Sequence, residues 1–92
     1  MTESNLNSSV SNEDKQKVFF EKARKGVLKF LNDKGGQLPM GELHDYSLNK
    51  YLIQHQSFSR MMETFVDEAL VDFDSVTYTV TITDTGKSFA NS

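Results

Sequence analysis

The chain has 92 residues, a formal charge of −3 and no cysteine. That length suits one domain with a small core and excludes two, while the missing cysteines exclude a disulfide framework and a cysteine-based zinc site and fit a cytoplasmic setting. No apolar run reaches membrane-spanning length, and the first residues lack the basic-then-apolar order of a secretion signal.

Charge is unevenly spread. Residues 15–34 carry seven bases against Glu21 and Asp33, a local +5, whereas residues 37–92 carry Lys50, Arg60 and Lys87 against eight acids, a local −5. A chain so divided presents a basic surface and an acidic one if the two segments lie on different faces.

Residues 1–12 are rich in Ser and Asn and read as a flexible N-terminal tail, leaving 13–92 as the domain. Ser11 or Asn12 is a suitable cap for a helix that opens with Glu13 and Asp14. Phe20, Ala23, Val27, Phe30 and Leu31 recur at three- and four-residue spacing, so this helix buries one stripe and runs to about residue 33, where Gly35 can close it in left-handed geometry. Phe19, beside Phe20, is hard to bury in the same domain; it packs by its edge or meets a second subunit. Gln37-Leu38-Pro39 reads as extended, because the proline biases Leu38 away from helical angles.

Between Met40 and His55 the helical signal is divided. Met40, Leu43 and Tyr46 or Ser47 make one short face and Leu48, Tyr51 and Leu52 another, which predicts two short helices with an irregular connection. Ser57 is a reasonable N-cap for the next helix, whose stripe is Phe58, Met62, Phe65, Val66 and Ala69, with Met61 and Leu70 at its margins. Its opposite side shows Ser59, Arg60, Glu63, Thr64, Asp67 and Glu68. The period then changes to two: Val76, Tyr78, Val80 and Ile82 alternate with threonines, predicting a strand paired with Val71–Asp74 through a tight connection at Asp74-Ser75. Thr83 or Asp84 caps a terminal helix that returns Phe89 to the core. The expected class is mainly α with a small β-hairpin, an α+β fold.

Three features carry a resemblance. Phe58-Ser59-Arg60 opens a helix, Glu68-Ala69-Leu70-Val71 leads it into strands, and Ile82-Thr83-Asp84-Thr85-Gly86-Lys87 enters a final helix. This order resembles the winged helix-turn-helix superfamily of the bacterial and archaeal transcription-regulator kind. The resemblance implies a cytoplasmic DNA-binding regulator acting as a dimer, in which Gln56, Ser57, Ser59, Arg60 and Thr64 face double-stranded DNA while Lys22, Lys25 and Lys29 of the first helix aid attachment. The acidic residues Glu63, Asp67, Glu68, Asp72 and Asp74 depart from that pattern, because carboxylates at the groove repel a polyanion. They support the alternative, a non-enzymatic interaction module that meets a basic protein surface. A basic first helix can equally pair with a second subunit or be solvated.

No catalytic arrangement competes. Asp84-Thr85-Gly86 matches the aspartic-protease tripeptide, but it follows several helices instead of lying in a β-rich dimer where two carboxylates share a proton. His44 and His55 lack metal-ligand spacing, and Gly35-Gly36 lacks the lysine of a phosphate loop. The expectation is no enzyme activity, no cofactor and no metal.

Overall fold

The computed structural model describes the backbone of residues 2–92 and the side chains of residues 14–92. The side chains of the tail expected over 1–12 lie outside the described residues, but the backbone of α1 begins at Thr2, so Ser11 and Asn12 fall within the helix and not at its expected start. The elements are α1 (Thr2–Asp33), β1 (Gln37–Pro39), α2 (Met40–Tyr51), α3 (His55–Asp67), β2 (Val71–Asp74), β3 (Thr79–Ile82) and α4 (Asp84–Ala90). The fold is mainly helical with a small antiparallel sheet, as the α+β expectation required.

α1 ends where the diglycine allows it to. Gly35 and Gly36 both have positive φ, and the Gly36 amide donates to the Leu31 carbonyl at 2.9 Å, satisfying an end carbonyl that the helix leaves open. The chain then enters β1, which pairs with β3, with Leu38 opposite Val80. The sheet order is therefore β1-β3-β2, three strands where two were expected. The sequence of β1 signals only an extended segment because its partner lies about forty residues away, beyond any local pattern.

α2 is one helix, correcting the expected break. Ser47 is fully buried and its hydroxyl donates to the Leu43 carbonyl at 2.8 Å, so it is satisfied inside a continuous helix. Leu52 closes α2 in left-handed geometry, its amide donating to Leu48. After the short turn of residues 52–54, α3 starts at His55 with Gln54 in the cap position, three residues before the expected Ser57 cap.

The α3 stripe also shifts. Phe58, Met61, Met62 and Phe65 are buried, whereas Val66 is exposed and Ala69, at φ 58°, lies beyond the helix end. Met61, expected at the margin, is thus central. The β2–β3 connection occupies residues 75–78, because Asp74 pairs with Thr79. The Asp74 carboxylate accepts from the amides of Val76 and Thr77, at 2.9 and 3.4 Å, and ties this loop. Tyr78 takes a positive φ, so Val76 and Tyr78 leave the predicted strand and are exposed.

The core is a single cluster in which Ala23, Val27, Leu28 and Leu31 of α1 meet Leu43, Phe65, Val80 and other buried side chains. Phe30 stacks on Tyr46 at 3.9 Å between ring centroids, fastening α1 to α2. At the C-terminus the Thr83 hydroxyl accepts from the Gly86 amide at 3.0 Å, as capping predicts, and donates to the Ala69 carbonyl at 2.6 Å. No helix among the described residues is long and apolar enough to cross a membrane.

Two glycines differ in what surrounds them. A Cβ at Gly86 would collide with the Leu70 carbonyl oxygen, which is backbone, and lie 2.8 Å from Ile82 Cγ1. One at Gly26 would meet the Tyr51 hydroxyl, the movable end of a side chain. Gly86→Ala should cost about 2–3 kcal/mol by overpacking, whereas Gly26→Ala should cost less, since the helix gains about 0.5–1 kcal/mol from alanine. Urea unfolding midpoints of the two variants test this order.

Burial, followed by the neighbouring Tyr51, raises the Tyr46 phenol above its ordinary pKa of 10.0. The fold favours the neutral phenol, so the associated stability is present below the unfolded-state value and declines as pH rises through the folded-state value. Tyr46→Phe should therefore flatten the fall in stability above about pH 10, measured by urea unfolding at increasing pH.

Candidate functional site

The exposed surface of α3 is divided between two depressions. On one side, α3 faces the start of α2 and the β2–β3 hairpin across an open groove of about 690 Å³. Phe58 and Met62 form apolar surface in it, with Met40, Val66, Phe73 and Tyr78 around them. The local sequence explains the arrangement. Residues 58, 59, 62, 63, 66 and 67 follow the helical period, so α3 gives its apolar stripe to the floor and its polar neighbours to the rim.

The charged residues of that rim are Glu63 and Asp67, one helical turn apart. Among the described residues no lysine or arginine lines the groove. At one end, His44 stands edge-on to Phe58, with ring centroids 5.0 Å apart, and 5.5 Å from His55. The His44 Nε2 is buried without a hydrogen-bond partner among the described residues. Among the described residues no group of three or more His, Asp or Glu side chains could hold a metal ion.

On its other side α3 faces α1. Ser57 and Arg60 share a hollow with Gln54 and with Lys15, Lys17 and Phe19 of α1. Thr64 is half-buried, its hydroxyl donating to the Met61 carbonyl at 2.7 Å. The residues expected to face one ligand thus separate: Ser59 belongs to the groove, Ser57 and Arg60 to the hollow, and Gln56 is exposed but borders neither depression.

The lysines separate as well. Lys22 and Lys25 line a shallow surface with Phe89 of α4, and Lys25 Nζ lies 5.7 Å from that ring and donates to the Ser92 carbonyl at 3.3 Å. Lys29 is exposed and borders neither depression of α3. Lys15 and Lys17, instead, are the α1 bases beside Arg60. Their proximity was hidden in the sequence because it depends on how α1 crosses α3.

Arg24 leaves the basic surface altogether. It is 5% exposed, Nη1 lies 3.0 Å from Glu21 and Nη2 2.6 Å from Glu68, and its guanidinium carbon is 5.1 Å from the Phe89 ring centroid. Burial opposes its charge, but hydrogen bonds to Glu68 and Glu21 outweigh that effect and hold its pKa above the ordinary range. The charge therefore contributes below the guanidinium's unfolded-state pKa and would be lost only as pH rises through the higher folded-state value. Glu68, expected on the acidic face of α3, is committed to this pair just beyond the helix end.

Comparison with protein families, curated proteins and solved structures gave no match.

Because Arg24 is buried while its two carboxylates retain access to water, removing the acids should cost more than removing the cation. Glu21→Gln/Glu68→Gln should destabilise the fold by about 2–4 kcal/mol, and Arg24→Met, which retains an apolar stem against Phe65 and Phe89, by less. Denaturant unfolding of both variants measures the difference.

Proposed function

We propose that the chain is a winged helix-turn-helix module that binds a protein segment and does not catalyse a reaction. The order helix, strand, helix, helix, strand, strand, helix supports that assignment, with α2 and α3 as the helix-turn-helix and the β2–β3 hairpin as the wing. The observation that carries the functional reading is the groove between α3 and the wing. Apolar Met40, Phe58, Met62, Phe73 and Tyr78 line it, and Glu63 and Asp67 supply its charge.

Such a surface favours a ligand with apolar anchors and positive charge. Apolar contact supplies affinity as water leaves the exposed Val66 and Tyr78, while the two carboxylates select a basic partner and orient it. The phosphate backbone of duplex DNA has the opposite requirements. It would approach the same face against two carboxylates, with neither lysine nor arginine among the described lining residues to replace its counterions.

A second reading rests on the hollow at the start of α3. Arg60, Lys15 and Lys17 meet there beside Ser57 and Gln54, a grouping suited to phosphate contacts. In that reading duplex DNA would lie along the α1 side of α3.

The two readings predict opposite responses to charge reversal. Glu63→Lys/Asp67→Lys should weaken binding of a synthetic amphipathic peptide bearing phenylalanine and lysine by about tenfold or more, and reduce its salt sensitivity. Arg60→Ala should leave that affinity unchanged. Titration calorimetry with the peptide and mobility shifts with random duplex pools measure both arms. Duplex binding that is lost in Arg60→Ala, with no peptide binding, would favour the DNA reading instead.

A further inference from the structure

Among the residues described in full, two surfaces remain open and complement one another. One is the groove with Glu63 and Asp67 on its rim. The other is the outer side of α1 from Lys15 to Lys22, where Val18 is 62% and Phe19 46% exposed. Adjacent exposed apolar residues of this size mark a surface with hydrophobic area left to bury.

The α1 segment has the ligand chemistry that the groove favours. Lys15 stands one turn before Phe19 and Lys22 one turn after Val18, so the apolar pair is flanked by cations on both sides. Glu21, the single acid between residues 15 and 22, is paired with Arg24. Within one molecule the two surfaces are kept apart. Phe19 packs against Tyr51 at the C-terminal end of α2, whereas the groove includes Met40 and His44 of its first half, about 16 and about 10 Å away along the helix.

We infer that the groove receives residues Lys15–Lys22 of a second copy of this chain, each copy inserting α1 into the other's groove. The inference rests on the protein-binding reading of that groove. Reciprocal insertion closes the assembly with two equivalent contacts and covers both apolar pairs. One-way insertion would leave a groove and an α1 segment open and propagate into chains. In the closed dimer Phe19 and Val18 lie against apolar groove surface, while Lys15 and Lys22 approach Glu63 and Asp67.

Sedimentation velocity of the full chain tests the inference, with two charge-reversed forms. Lys15→Glu/Lys22→Glu gives the segment the sign of the groove, and Glu63→Lys/Asp67→Lys gives the groove the sign of the segment. Each alone should weaken dimerisation by at least about tenfold. An equimolar mixture should restore a heterodimer, because both of its contacts then join opposite charges. Circular dichroism verifies that each form folds, and Phe19→Glu should also give a folded monomer.

A wild-type monomer up to about 1 mM, the range of weak association, would overturn the inference. So would a dimer that persists in both reversed forms, or a mixture that fails to pair. If the monomer still binds the lysine-and-phenylalanine peptide in its groove, only the self-association fails. If it binds neither, the protein-binding reading fails with it.

Discussion

The buried guanidinium of Arg24 links the fold to the charge on its surface. Its hydrogen bonds to Glu21 and Glu68 and its position over the Phe65 and Phe89 rings join α1, the end of α3 and α4. A cation removed from water needs such partners, since desolvation otherwise opposes the charged state. The same interaction withdraws one base from the exposed side of α1 and engages one acid that would otherwise extend the acidic side of α3. What remains exposed defines two differently charged surfaces on opposite sides of α3.

The position of α3 follows from that frame. Its buried residues Phe58, Met61, Met62 and Phe65 fix the helix rotation, so residues 59, 63 and 67 turn toward the hairpin while residues 57 and 60 turn toward α1. The groove stays open because Val66 and Tyr78 remain exposed at its walls, while Phe73 packs from the hairpin onto the core. Tyr78 contributes through its left-handed backbone and lies 5.7 Å, ring to ring, from Phe73. The scaffold holds open an apolar groove with two carboxylates on its rim, a charge that opposes a nucleic-acid backbone.

Locally encoded features were legible in the sequence. Gly35 marked the end of α1, Thr83 marked the cap of α4, and the alternation of Val80 and Ile82 with threonines identified β3. Features decided by distant contacts were not. β1 became a strand through pairing with β3, and Ser47 remained inside α2 because its hydroxyl found the Leu43 carbonyl. The candidate site was legible as residue types on one helix, but the rotation that separates Ser59 from Arg60 depends on tertiary packing. Arg24 was hidden for a different reason: one arginine within a lysine-rich helix carries no local mark of burial.

The central claim is that ligand recognition occurs in the groove between α3 and the hairpin. It is tested most directly by following backbone amide resonances of the full chain during separate titrations with a lysine-and-phenylalanine peptide and with duplex DNA. Peptide-dependent shifts concentrated at Met40, His44, Phe58, Glu63 and Tyr78 are the predicted result. Shifts confined to Lys15, Lys17, Ser57 and Arg60, arising only with DNA, would contradict the account.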